Sequence, residues 1–379
     1  MMPAKATASR KQATTNGAAL KLRRGAAQPQ YVQLAEYLRC RITRGELQSG
    51  DPLPTLRAMR GQGVTQFTLD KAHDILEQEG LIVREQRRGT FVAHSHQRPR
   101  KGVIAFCGGD VLLTASSPYW ARLIEGVHET LDAENMQLLL WADPNADGLQ
   151  NKADGALVNG GGADFIPDWW QAQRWPGVAL LYPLDGISSV TADQSQGVRL
   201  ALEYLLKLGH KRIAYLHGDD MWSSIKARLA VYHATLRAAG IAPQPSWLCK
   251  LNDQPMIYFH ETGLTTMRDW LERKADNWCA TGCTALLAQN DETALGAMAA
   301  FQEAGWRVPE DVSVVGFDGT ELCEMARPRL TSVEVPLREI GRRSAQILLR
   351  QLKDNAGDTQ HIELPVQLRI RQSAGPPKM

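Results

Sequence analysis

Residues 63–92 read GVTQFTLDKAHDILEQEGLIVREQRRGTFV, and this stretch decides the fold of the first quarter of the chain. Thr65 is a residue type that caps helix N-termini. Leu69, Ala72 and Leu76 follow at helical spacing with Ile75 beside them, and Gly80 supplies the left-handed freedom a helix C-terminus uses. Two short β-rich pieces, 81–83 and 90–92, flank the turn Gln86-Arg87-Arg88-Gly89. Upstream, Tyr31, Leu34, Leu38 and Ile42 line one face of a helix that ends at Gly45 and the Ser-Gly-Asp-Pro of 49–52. A short helix follows Leu53-Pro54-Thr55, with Thr55 as its cap. Three helices and a hairpin predict a winged helix-turn-helix over residues 28–93.

Charge supports a separate role for this head. Residues 1–102 hold 18 Lys and Arg against 8 Asp and Glu; the remainder holds 25 against 33. A basic head on an acidic body points to a polyanion partner. Residues 1–27 have no apolar periodicity and are expected to be a disordered basic tail. They contain no apolar signal region, so secretion is not expected. Residues 94–101 (HSHQRPRK) read as a linker, and His94 and His96 lack further metal ligands nearby.

From Gly102 onward strands alternate with helices. Expected strands are 102–106, 136–141, 155–159, 177–181, 212–216, 284–288 and 312–316. Expected helices are 119–134, 226–239, 291–304, 336–354 and one carrying Val198, Ala201, Leu202, Leu205 and Leu206 on one face. This alternation predicts doubly wound parallel sheets. A core over 102–373 is long for one sheet, so two lobes are expected, with 374–379 left as a tail. Between the strand at 136–141 and Asp154 only a dozen residues intervene, too few for a full crossover helix.

The head resembles the GntR family of bacterial transcription regulators. The resemblance rests on Gly50-Asp51-x-Leu53-Pro54-Thr55-x-Arg57, Gly63-Val64-Thr65-x-x-Thr68-Leu69, Leu76-Glu77-Gln78-Glu79-Gly80-Leu81 and Arg88-Gly89-Thr90-Phe91-Val92. It departs at Leu56, where the family usually has an acid, and at Gln66, where it has an arginine. The body resembles the ligand-binding core of the lactose/galactose-repressor family, which shares its fold with periplasmic sugar-binding proteins. That match runs through Leu208-Gly209-His210-Lys211-Arg212-Ile213, Arg228-x-x-x-Tyr232, Asn290-Asp291-x-x-Ala294, Val308-Pro309-x-Asp311 to Asp318, and Pro328-x-Leu330-Thr331. Val231 stands where that family prefers glycine. Head plus core is similar to the arabinose-responsive branch of the GntR family. The resemblance implies a repressor of operator DNA, controlled by a small molecule between two periplasmic-binding-protein-like lobes; six scattered cysteines suggest a reducing cytoplasm, and one head per half-site suggests a homodimer.

Candidate residues follow from helix and strand ends. With the first turn of the Thr65 helix in a major groove, Gln66, Thr68 and Lys71 face DNA, with Thr65 and Thr55 at the helix starts. Arg57 reaches phosphate or base, and Arg87, Arg88 and Gly89 form the wing tip. In the core, ligands of open α/β sheets meet the carboxyl ends of strands. Asp291 and Asp318 sit there and can each accept from two hydroxyls. Arg228 and Asn290 add donors, while Tyr119, Trp120 and Trp222 offer ring faces. By resemblance, Arg228, Asn290 and Asp318 match positions that touch effector. Asp291 has a bland alternative as a helix cap, and Trp120 one as core packing.

A sugar is the expected effector; a purine, nucleoside or sugar phosphate is the alternative, and would call for further cations. No P-loop, Gly-x-Ser-x-Gly elbow or His-Glu-x-x-His is present, so no enzyme activity, cofactor or catalytic residue is expected. Cys279-x-x-x-Cys283 lacks partners at zinc spacing, so no metal is expected. A pyridoxal-phosphate enzyme body, which some GntR heads carry, needs more residues than remain. Hydropathy averages −0.30 and no 18-residue apolar run exists, so no membrane span is expected.

Overall fold

The computed structural model describes residues 22, 28–43, 46–93, 100–107, 117–141, 148–159, 175–219, 223–252, 259–273, 277–354 and 359–378. It divides into two units, Met1–Pro99 and Arg100–Met379. Most of the expected tail and linker, and Trp222, fall outside the described residues.

The first unit is built on α1 (Gln30–Thr43), α2 (Leu56–Met59), a 3-10 turn at Arg60–Gln62 and α3 (Gln66–Gln78). Strands β1 (Ile82–Glu85) and β2 (Gly89–Val92) pair antiparallel, Ile82 opposite Val92 and Glu85 opposite Gly89. Leu34, Leu38, Ile42, Leu69, Ala72, Leu76, Ile82 and Val92 fill one small core. Leu53 N donates to Thr90 O and Val92 N to Asp51 O, which lays the segment before α2 along the wing.

The second unit contains two six-stranded sheets. The N-terminal lobe uses β3 (Val103–Cys107), β4 (Gln137–Trp141), β5 (Gly155–Asn159), β6 (Gly177–Leu181) and β7 (Ser188–Ala192). The C-terminal lobe uses β8 (Ile213–His217), β9 (Leu248–Lys250), β10 (Ala285–Ala288), β11 (Ser313–Asp318) and β12 (Thr331–Glu334). The chain then returns: β13 (His361–Leu364) joins the first sheet and β14 (Gln367–Arg369) the second. The orders are β13-β7-β6-β5-β3-β4 and β14-β12-β11-β10-β8-β9, and every neighbour pair is parallel except β12 with β14. Between β4 and β5 the described residues hold only a 3-10 turn, Leu149–Asn151, so this crossover is shortened.

Helices α4 (Pro118–Asp132), α5 (Gln194–Lys207), α6 (Ser223–Ala238), α7 (Phe259–Glu272), α8 (Trp278–Thr281), α9 (Asp291–Glu303), α10 (Leu322–Met325) and α11 (Leu337–Asp354) accompany the sheets. Two helix pairs pack with backbones almost touching. A Cβ on Gly126 of α4 would lie 2.0 Å from the Arg338 carbonyl oxygen of α11, and one on Gly296 of α9 would lie 2.1 Å from that of His260 in α7. Only glycine permits such an approach.

The lobes are joined by three chain crossings. Helix α5 follows β7 of the first sheet but packs on β12 and β14 of the second; α11 follows β12 but packs on α4 and β6. Residues 365–366 carry the chain back again between β13 and β14. Asp193 N donates to Leu364 O at 2.9 Å and Val366 N to Gln196 Oε1 at 3.0 Å, so two of these crossings lie side by side. Residues 374–378, set apart as a tail by composition, run along the C-terminal lobe. Gly375 N donates to Ser313 Oγ at 3.0 Å, and Gly375 O is 2.9 Å from His210 Nε2.

Candidate functional sites

In the head, the start of α3 sorts its side chains by face. Thr65 caps the helix by accepting from Thr68 N at 3.2 Å. Thr68 is only 6% exposed, and its hydroxyl meets that of Thr65 at 2.9 Å. This corrects the expectation that Thr68 faces DNA: it sits on the buried side of the first turn and locks the cap. Gln66, Phe67, Asp70 and Lys71 are the exposed residues of this half of α3. Gln66 Nε2 donates to Asp70 Oδ1 at 2.8 Å. A carboxylate only accepts, so this bond fixes which way the amide points. Lys71 stands 3.7 Å from Asp74.

Thr55 and Arg57 are exposed at the start of α2. At the wing tip Arg87 takes a positive φ of 64° and Gly89 one of 124°. Arg88 is paired with Glu85 and lies 5.7 Å from the Phe91 ring centre. Arg84 was not foreseen. Its guanidinium donates to Asp74 Oδ1 at 2.7 Å and to Asp70 O at 3.2 Å, and so ties the wing to α3. An arginine in a strand one turn after a helix rich in acids was the available signal.

In the core, Arg228 of α6 is almost fully buried. Its Nε donates to Gln194 Oε1 at 2.8 Å, one Nη to Gln289 O at 2.7 Å, and its plane lies 4.0 Å from the Phe317 ring centre. Tyr215, Tyr182, Asp318 and Tyr119 surround it within electrostatic reach. Tyr119 and Tyr182 follow β3 and β6 of the N-terminal lobe, while Arg228 and Asp318 belong to the C-terminal lobe. The cluster therefore spans both lobes at the carboxyl ends of their strands. Asp318 is held at a φ of 111°, a strained value for a side-chain-bearing residue. Burial and the nearby Asp291 charge raise its pKa well above the usual carboxylate range, against the pull of Arg228. Burial likewise holds the Tyr119 hydroxyl well above its ordinary value.

Two expected ligand residues are placed differently. Asn290, not Asp291, caps α9: its Oδ1 accepts from Thr293 N at 2.8 Å. Asp291 is 1% exposed and turns inward. Its carboxylate accepts from Thr320 N at 2.7 Å, from Thr320 Oγ1 at 2.9 Å and from Ser332 Oγ. It thus ties α9 to the loop that follows Asp318 and is buried there. Trp120 stands edge-on to Phe106 and Tyr119, at centroid distances of 6.5 and 5.3 Å, and packs against the lobe core. Tyr119 is the ring nearer the charges. Tyr182 and Gln289 escaped the sequence reading, although both follow strands and the strand-end rule applied to them.

The lobes also touch at the cleft rim. Ser117 Oγ donates to Glu292 Oε1 at 2.6 Å, and Arg122 of α4 donates to Gly319 O at 3.2 Å and pairs with Glu321.

Comparison with known proteins places the two units in known families. Residues 30–92 match the family of bacterial regulatory proteins called gntR, and residues 202–374 match the periplasmic binding protein-like domain. Catabolite control protein A of Priestia megaterium is 30% identical over 70% of this chain and 80% of its own length. The chain belongs to the bacterial transcription regulators that join a GntR-family head to a periplasmic-binding-protein-like core. The arabinose metabolism transcriptional repressor of Geobacillus stearothermophilus is 25% identical over 87% of the regulator and 93% of its own length. A LacI-family transcriptional regulator from Enterococcus faecium with bound ribose superposes with a TM-score of 0.63 at 26% identity, covering 73% of the regulator and all of that chain. The head that matches this family, residues 30–92, is the one whose third helix exposes Gln66, Phe67, Asp70 and Lys71. Among the described residues no helix is long and apolar enough to cross a membrane.

Proposed function

We propose that the regulator is a repressor whose hold on operator DNA changes when a sugar-type polyol binds between the two lobes. The observation that carries this is the cluster of Arg228, Asp318, Tyr119 and Tyr182, drawn from both lobes around one buried cation and one carboxylate. A polyol presents donors to Asp318 and acceptors to Arg228 at once. A ligand that touches both lobes favours their closed arrangement by its differential affinity. A phosphate would call for more cations than Arg228 supplies here, which favours a neutral sugar over a nucleotide or sugar phosphate. The relatives named for arabinose and solved with ribose point the same way. On this reading the protein works in the cytoplasm, beside its DNA.

A thermal-shift panel of pentoses, hexoses, disaccharides, nucleosides and sugar phosphates tests the reading. A ligand at 100 times its dissociation constant stabilises the core by about 2.7 kcal/mol. A sugar that stabilises the protein and alters operator retention supports the proposal. A response confined to nucleosides or phosphates overturns the sugar assignment.

Gln66 is proposed to read adenine. Asp70 uses one of its amide hydrogens, and the other hydrogen plus the carbonyl match the N7 and N6 edge of adenine. Gln66→Arg should shift preference at that base pair toward guanine by about 1–3 kcal/mol. Arg57→Ala should weaken binding to all sequences alike if it anchors phosphate. Sites selected from a random library by each protein check both; identical preferred bases for wild type and Gln66→Arg would show that Gln66 does not read DNA.

The regulator is further proposed to act as a homodimer, since one head reads one half-site. Met325 of α10 is 73% exposed and Ile370 after β14 is 60% exposed, apolar surface on the C-terminal lobe that a second copy would cover. Met325→Glu should shift the sedimenting species from dimer to monomer. A wild-type chain that sediments as a monomer on its operator would end this proposal.

A further inference from the structure

Phe67 is an anomaly on the reading helix. It is the second residue of α3, is 66% exposed, and is the one large exposed apolar side chain among the described residues of the head. Its exposed neighbours on the same half-helix, Gln66, Asp70 and Lys71, are all polar. The helix gains nothing from it: Leu69, Ala72 and Leu76 make the buried face, and the cap is closed by Thr65 and Thr68. Among the described residues of the head its ring is left largely open, which orders water around it.

The chemistry of the major groove offers one apolar feature at the base edges, the C5-methyl group of thymine. We infer that Phe67 is a specificity-determining residue that reads a thymine methyl next to the adenine assigned to Gln66. This rests on the reading of the head as an operator-binding domain. Adjacent residues at the first turn of a helix inserted end-on reach neighbouring base pairs, so Gln66 and Phe67 together select a short A/T step. The hydrogen-bonding side chain sets the purine, and the ring sets its neighbour by excluding water from a methyl group. A cytosine or a purine at that step would place a polar edge against the ring instead.

Replacing thymine by uracil removes the methyl and nothing else, which makes the test direct. A duplex of the sequence selected from a random library by the full-length protein is synthesised in two forms, with thymine or with uracil at that one position of the step. Wild type should bind the uracil form roughly three- to tenfold more weakly. Phe67→Ala should bind both forms equally, at about the affinity of wild type for uracil DNA. Its melting temperature should not fall, because the ring is exposed. Equal binding of the two forms by a wild-type protein that does select sites would overturn the inference. So would a Phe67→Ala protein that still discriminates, since another group would then be reading the methyl. Failure to select any duplex would instead overturn the operator-binding reading, and this inference with it.

Discussion

Arg228→Met should lower affinity for the stabilising sugar by about 10- to 100-fold, the loss expected for charge-assisted hydrogen bonds in a dry site. The guanidinium is held from two sides, by Gln194 at 2.8 Å and by the Gln289 carbonyl at 2.7 Å, and is seated on the Phe317 ring. Its remaining donors are thereby aimed rather than free to search. Methionine keeps much of the volume and removes every donor. It also removes the one cation that opposes the upward shift of the Asp318 pKa, so that acceptor is weakened as well. Arg228→Lys should not restore affinity, because an ammonium has neither the planar fork nor the stacking face. Calorimetric titration with the sugar found in the panel gives the number, and operator selection without ligand should persist. Undiminished sugar affinity in Arg228→Met would place the ligand elsewhere.

Asp291→Ala should destabilise the core by about 3 kcal/mol, since it removes the acceptor of three buried donors. The Thr320 backbone N–H, the Thr320 hydroxyl and the Ser332 hydroxyl all donate to this carboxylate. Asp291→Asn should cost far less, because its oxygen still accepts and Ser332 Oγ can accept from its amide. The acid also carries a pH signature. Burial pushes its pKa up to about 6, against hydrogen bonds from Ser332 and Thr320 that pull it down. A carboxyl whose folded pKa is raised lends stability that is present below its ordinary value and lost as pH rises through the folded value. The Asp291 contribution to stability should therefore fall between about pH 4 and pH 6, and Asp291→Asn should flatten that part of the curve. Denaturant melts of the three proteins across this range decide it; a wild-type curve that rises there relative to Asp291→Asn would contradict the raised pKa.

The head was legible because its signals are local. The Thr65 cap, the Leu69-Ala72-Leu76 stripe, Gly80 and the short turn before Gly89 each act over a few residues, and the helix and hairpin form where they say. The β/α alternation was legible for the same reason: each buried strand is a short apolar run, and each helix shows an apolar face. Parallel sheets and two lobes follow from that pattern and from length. Local patterns did not reveal the return of the chain. β13 pairs with β7 across some 170 residues of sequence, and its burial alternates weakly, so only the finished sheet explains it.

The candidate sites divide along the same line. That Asp318 stands at a strand end was readable from position, whereas Arg228, inside α6, was singled out by its donors and by resemblance. Which of two adjacent polar residues turns inward was decided by tertiary structure. Asn290 and Asp291 are both able to cap α9; the donors of Thr320 and Ser332, dozens of residues away, draw Asp291 inside and leave the cap to Asn290. Thr65 and Thr68 are likewise both N-terminal hydroxyls, and packing of the head turns Thr68 to the core. The sequence by itself determined the elements and their apolar faces, because those depend on periodicity and caps. The tertiary structure alone decided the three crossings between the lobes, the convergence of Tyr119 and Tyr182 on Arg228, and the direction of each buried polar group. Those depend on partners that only folding brings within hydrogen-bond reach.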